Sequence, residues 1–243
     1  MTMPPALAED HHVHSAFSDD AVSSLDENVR AARRRGLRAL CFADHVRQDS
    51  PWVADYTAAV AALRPVPGLD VVAGVEAKIL DSQGHLDLPG QLPGVERVLI
   101  ADHQFPGDTG PVHPRDIRAD LVSGQRTAAE VIDGLIAATA LALDQVAIPQ
   151  LAHLFSLLPK MGLAESGVPG PALATLALAA RRAGARLEVN EKWACPSPRT
   201  IRAFAAAGVP LVPSTDSHDA ADVGRYHRVP GLLTAAQGSQ VPG

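Results

Sequence analysis

One arrangement recurs seven times along the chain: a short apolar run that closes on a histidine, an aspartate or a glutamate. The runs close at His12 and His14, at Asp44 and His45, at Glu76, at His103, at His153, at Glu188 with Asn190, and at Asp216 with His218. Helical patterns separate most of them. "SSLDENVRAARRRG" opens on a capping-box signature, Ser24 with Glu27 three residues on, and leads into "RALCFADH". A weaker helical stretch near 53–63 precedes "LDVVAGVE", and a polar hairpin around "LDSQGHLDLPG" precedes "ERVLIADH". A long helix at about 127–143 leads to "VAIPQLAH", and an alanine-rich helix near 171–183, ending at Gly184, leads to "RLEVN". The last helix, at 198–207, closes at Gly208 before "VPLVPSTDSH". With a first strand at about 8–13, this alternation implies a parallel sheet, most economically a closed barrel.

In such barrels the C-terminal strand ends share one face, and catalytic groups gather there. A lone histidine at a strand end is more often packed than ligating. Seven ends of this kind instead predict a single metal-competent rim. Residues two apart on a strand share a face, so His12 and His14 should point together and His11 away. Asp216 and His218 repeat that spacing, with Ser217 turned aside. Imidazoles and carboxylates converging in this way suit a polynuclear site for divalent metals.

Composition limits the alternatives. The length of 243 residues fits one barrel domain spanning 1–243, with a core at about 9–226 and a flexible tail at about 233–243. The longest apolar runs, such as "LIAATALAL", fall short of the ~20 residues that cross a bilayer, so no membrane span is expected. The first residues lack the charged and apolar regions of a secretory signal, which makes the cytoplasm the expected location. Cys41 and Cys195 form no CxxC pair and offer neither a disulfide framework nor a zinc knuckle. A net charge of −6 argues against nucleic acid as a partner. The basic run "RAARRRGLR" reads as a solvated helix end capped at Gly36, on the barrel face away from the strand ends.

Taken in order, these motifs resemble the PHP (polymerase and histidinol phosphatase) family. "DHHVHSAFSDD" is similar to its D-x-H-x-H-S motif and following S-D-G, "FADH" to T-D-H, "GVE" to G-x-E, and "IADH" and "QLAH" to its mid-chain histidine motifs. "LEVN" is similar to E-x-N and "STDSH" to the terminal D-S-H, so the likeness runs from about 9 to 226. The short length and "GVEAKILDSQGHLDL" resemble the small stand-alone bacterial phosphatases most. The resemblance implies a distorted (β/α)7 TIM-like barrel holding up to three divalent ions, zinc, manganese or iron. It assigns one ion to His12, His14, Glu76 and Asp216, a second to His103, His153 and the bridging Glu76, and a third to Asp19, His45 and His218. Two positions depart from the pattern. Asp20 replaces the family's glycine and is an alternative ligand to Asp19, and Ala43 replaces a threonine that ligates nothing.

The implied activity is hydrolysis of a small phosphomonoester, as by a histidinol phosphatase, through a hydroxide shared by two metals, with Glu76, Asp216, His218 and Asp44 at the reacting centre. Asp44 would orient a histidine, or else cap a helix or pair with a cation. Arg47, Lys192 and Arg225 are candidates for binding the substrate's phosphate, against solvated roles for each. His85, His113 and His227 fall in loops with no assigned role. Three other readings remain. An amidohydrolase would place a carbamylated lysine where Glu76 stands, a nuclease is opposed by the acidic balance, and a non-enzymatic scaffold would be expected to have lost ligands.

Overall fold

The computed structural model describes residues 7–238. Seven parallel strands form one sheet in the order β1 (Glu9–Val13), β2 (Ala39–His45), β3 (Asp70–Lys78), β4 (Arg97–Ala101), β7 (Pro149–Ala152), β8 (Arg186–Asn190) and β9 (Leu211–Ser214). A parallel bridge between Val13 and Ser217, with His14 N–H donating to the Ser217 carbonyl at 2.9 Å, brings the two edges together. The sheet is thereby almost closed into a (β/α)7 barrel. At the seam the Asp10 carboxylate accepts from Thr215 N–H at 2.9 Å, from the Thr215 hydroxyl at 2.6 Å and from Gly224 N–H at 2.8 Å. A side chain here supplies acceptors that a β1–β9 ladder would otherwise have provided.

Helices pack outside the strands. The sequence signals for α1 (Leu25–Arg34) are realised as a Ser24–Glu27 capping box, and those for α4 (Ala128–Ala142) as a Thr127–Glu130 box, each stabilising its helix by about 1 kcal/mol. The remaining expected helices are α2 (Val53–Ala62), α5 (Gly170–Arg182) and α6 (Pro198–Ala206). Elements not foreseen include the hairpin β5 (Phe105–Gly107)–β6 (Gly110–Val112), α3 (Pro114–Ser123) and α7 (Val229–Gln237). Residues 233–237, expected within a flexible tail, complete α7, while 239–243 lie outside the described residues. Between β3 and β4 there is no helix, only a loop pinned by one antiparallel bridge, Ile79 to Leu86, and this is where the barrel departs from regularity.

The main core lies between strands and helices. A second apolar cluster, Cys41, Ala43, Leu99, Ala101 and Ala152 with Val72 against it, is separate from it. Apart from Leu99 its residues are small, and at Gly74 the backbones approach closely: a Cβ there would stand 2.6 Å from the Phe42 carbonyl oxygen. The fully buried Tyr56 donates its hydroxyl to the Gly74 carbonyl at 2.6 Å and ties α2 to β3 just before Glu76. No helix among the described residues is long and apolar enough to cross a membrane.

Candidate metal centre

All seven strand ends deliver polar side chains to one rim. Glu76, near the end of β3, is buried at its centre, and its two oxygens face different neighbours. Oε1 lies 3.2 Å from His103 Nε2 and 2.9 Å from His153 Nε2. Oε2 lies 2.9 Å from His45 Nδ1, 3.4 Å from His12 Nε2 and 3.6 Å from His14 Nε2. One carboxylate thus divides two sets of imidazoles.

The inner donors are closed off from solvent. His12 and His14 present their Nε2 atoms 3.0 Å apart, and His14 Nε2 is 3.4 Å from Asp216 Oδ1. The expected pairing of His12 with His14 is therefore met. Its cause is not strict alternation, because the β1–β2 register shifts between Asp10 and Val13. His11 is buried but stays out of the cluster, contacting Glu9 at 2.8 Å and Arg97 at 3.0 Å. Among the described residues, three sets of donor atoms lie close enough to hold an ion: His12, His14 and Asp216; His45, Glu76 and His103; and His14, His45 and His218.

The outer set separates the two aspartates weighed for the third ion. Asp20 Oδ2, and not Asp19, faces His218 Nε2 at 3.1 Å and His45 Nε2 at 3.4 Å. Asp19 is turned out, 3.6 Å from Arg47 and 73% exposed. The strand sequence could not fix this, because the turn carrying both residues is shaped by a distant side chain. Asp44 accepts from Ser15 N–H and Oγ at 2.7 Å each, from Ser18 N–H at 3.1 Å and from Ser18 Oγ at 2.8 Å. It neither caps a helix nor touches a histidine. Ser18 Oγ in turn lies 3.3 Å from His14 Nδ1, so Asp44 orients that ring through one intermediate hydroxyl.

Two further carboxylates brace the ligands from below. Glu188, read as a strand-end donor, accepts from His12 Nδ1 at 3.0 Å and from Gln150 Nε2 at 3.2 Å, which leaves His12 Nε2 turned to the cluster. Asp102, which the sequence reading passed over, lies 3.2 Å from His153 Nδ1 and accepts from Ser156 Oγ at 3.0 Å. Its signal was its place immediately before His103 in "IADH".

Electrostatics keep the two central carboxylates ionised. Burial would raise the pKa of Glu76, but the His103 and His12 charges outweigh it and hold the carboxyl well below its usual range. Burial likewise opposes ionisation of Asp216, yet His12 and the His14 hydrogen bond hold its pKa down. On His12, burial is overcome by Glu188, Glu76 and Asp216, which raise its pKa well above the usual histidine value. His14 behaves oppositely: burial, with the charge on His12, pushes it down to about 3 despite the Asp216 hydrogen bond. Asp44 is pushed up to about 6 by burial, against its serine hydrogen bonds. Strain is also concentrated here, since His153 (φ 30°) and Asp216 (φ 52°) both occupy the left-handed region that residues with a side chain rarely adopt.

Clefts flank the cluster on two sides, and Asp20 lines both. The larger, about 660 Å³, contains Lys192, Arg225, His218 and Asp216. The smaller, about 250 Å³, contains Arg47, Lys78, His45 and His103. The three basic candidates therefore do not converge on one spot. Lys192 is nearest the cluster, with Nζ 3.3 Å from Asp216 Oδ1 and 3.2 Å from His218 Nδ1. Arg225 stands further along the same cleft, beside Asp222 at 4.0 Å, and Arg47 is across the cluster on the exposed edge.

The sequence model of the PHP domain matches residues 10–156, from the Asp10 seam through the His153 turn. A probable phosphatase of Caldanaerobacter subterraneus subsp. tengcongensis is 33% identical over 97 residues, 39% of this chain and 38% of that one. Another, of Vibrio parahaemolyticus, is 34% identical over 124 residues, 48% of each chain. The aligned segments thus span less than half the length of these relatives. The crystal structure of a histidinol phosphate phosphatase from Lactococcus lactis subsp. lactis, complexed with zinc, L-histidinol and phosphate, matches 96% of this chain and 93% of that one with a TM-score of 0.67. At 17% identity that likeness is one of fold.

Proposed function

The chain belongs to the PHP domain family, and from that membership we propose that it is a single-domain, metal-dependent phosphoesterase acting on a small phosphorylated molecule. The observation that carries the proposal is the division of Glu76 between two imidazole sets, Oε1 toward His103 and His153 and Oε2 toward His12, His14 and His45. A carboxylate placed in this way is suited to bridging two cations. The donors are nitrogen and carboxylate oxygen with no thiolate, a set compatible with zinc, manganese or iron.

In this reading His12, His14, Glu76 and Asp216 hold one ion, Glu76, His103 and His153 a second, and Asp20, His45 and His218 a third that is more open to solvent. Divalent ions at such a site polarise the phosphoryl oxygens and lower the pKa of an attacking water. The chain's own groups prepare for this. Glu188 and Asp102 engage Nδ1 of His12 and His153 and so keep each ring turned with its Nε2 inward. Lys192, at the mouth of the larger cleft, is placed to bind a phosphate oxygen, with Arg225 further along that cleft and Arg47 on the opposite side. That cleft is lined chiefly by polar and charged residues, which suits a small polar phosphomonoester, and the phosphatase names of the relatives point the same way.

The test is release of phosphate by metal-loaded protein from a panel of phosphomonoesters that includes histidinol phosphate, with single-stranded DNA as a comparison. Hydrolysis of at least one monoester, but not of DNA, is expected. Glu76→Gln should lower turnover by more than about 100-fold, since losing partners one step further from a metal already costs 10–100-fold. Full turnover in that variant, or faster cleavage of DNA than of every monoester, would overturn the proposal.

A further inference from the structure

Asp216 is held by a group that lies outside the ligand set. Its Oδ2 accepts from the indole Nε1–H of Trp193 at 2.9 Å, while Oδ1 faces His14 Nε2 at 3.4 Å and Lys192 Nζ at 3.3 Å. We propose that Trp193 is a positioning residue of the metal centre, its indole N–H engaging one oxygen of Asp216 so that the other is presented to the histidines. The proposal rests on the reading of this cluster as a metal site and adds a residue to it.

Three features support the assignment. First, the indole itself is fixed at several points. Its residue's backbone N–H donates to Asn190 Oδ1 at 2.8 Å, and the Lys160 ammonium lies 4.1 Å from the ring centroid, within cation–π range. Lys160 follows β7 and Asp216 follows β9, so the ring spans two loops of the rim. Second, an indole N–H donates and cannot accept. It can hold Asp216 Oδ2 without competing for a cation, whereas a hydroxyl or amide in its place could turn and offer an oxygen. Third, Trp193 is 40% exposed, so filling the core does not explain a large aromatic at this position. Asp216 needs such support because its backbone sits at φ 52°, a conformation that its neighbours must enforce.

A carboxylate released from Trp193 could swing its freed Oδ2 toward the cluster and chelate through both oxygens, while Oδ1 keeps Lys192 at 3.3 Å, and that change would alter the ion's position against Glu76. The consequence falls on metal affinity and on the chemical step, with little effect on substrate capture.

The chain has two tryptophans, so a Trp52→Phe background leaves Trp193 as the sole indole emitter. Zinc titrated into this chelator-stripped protein should change the emission saturably, in step with the zinc uptake read by calorimetry. Trp193→Phe keeps a ring over Lys160 but removes the N–H. It should weaken zinc binding and lower kcat by about 10–100-fold, with KM nearly unchanged, while the metal-free protein melts as the parent does. Lys160→Met should shift zinc affinity in the same direction by a smaller factor. Emission that stays constant while calorimetry registers saturation overturns the proposal, as does zinc affinity in Trp193→Phe within about twofold of the parent. If Trp193→Phe fails to fold, the emission titration still decides. Zinc affinity is read without substrate, so a protein whose zinc binding depends on Trp193 but which cleaves no monoester refutes the phosphatase reading alone.

Discussion

Asp20 faces His45 and His218, and Asp19 faces Arg47 and solvent; one peptide unit separates the proposed ligand from a surface carboxylate. Asp20→Asn should therefore lower bound metal by about one equivalent and reduce turnover roughly 10–100-fold, whereas Asp19→Asn should leave both near parental values. Elemental analysis of the two purified variants, with rates on one monoester, checks this, and the opposite order of effects would refute it. The sequence showed both aspartates but could not choose between them, because the choice depends on Asp44, more than twenty positions away, shaping the turn at Ser15 and Ser18. The two-residue spacing suggested grouping His12 with His14 and Asp216 with His218, but alternation is not what groups them, since the β1 register shifts and Asp216 lies past β9 in the left-handed region. Glu188 was recognised as polar and well placed, but not as a brace: which way a strand-end carboxylate turns depends on partners such as His12 and Gln150, contributed by other strands.

At the level of elements, β2 does more than carry His45. Its Asp44 clamps the loop between β1 and α1 through four hydrogen bonds to Ser15 and Ser18, and through Ser18 it sets the His14 ring. Asp44→Asn replaces one acceptor oxygen with a donor facing other donors, and should cost about 1–3 kcal/mol of stability. Thermal melts of the metal-free variant measure that loss, and an unchanged midpoint would contradict the clamp. The strands and the helices that pack firmly on them were legible from apolar periodicity and capping residues. The helices not foreseen bury too little to leave such a pattern. In α3 only Pro114 and Ile117 are buried, although its His113 cap, Pro114 at the first turn and left-handed Gly124 were present as signals. In α7 only Val229 is fully buried, and the three-residue strands β5 and β6 include prolines and glycines that read as loop.

Across the whole molecule, the proposed ligands come from both sides of the barrel's seam: His12 and His14 from β1, Asp216 and His218 from just past β9. The strand ladder there is reduced to one bridge and the Asp10 hydrogen bonds, so ions held between those residues would also fasten the barrel shut. Metal at a hundredfold excess over its Kd stabilises by about 2.7 kcal/mol, roughly 5–10 °C in the melting midpoint for a chain of this size. Binding and catalysis should therefore rise together. The most direct test restores zinc or manganese stepwise to stripped protein and records, at each equivalent, the midpoint and the rate of phosphate release from a monoester. The expected result is no turnover without metal, a rate that develops as the second equivalent fills the two sides of Glu76, and a midpoint that climbs alongside it. Full turnover in stripped protein, or a midpoint and a rate both indifferent to added metal, would contradict the account.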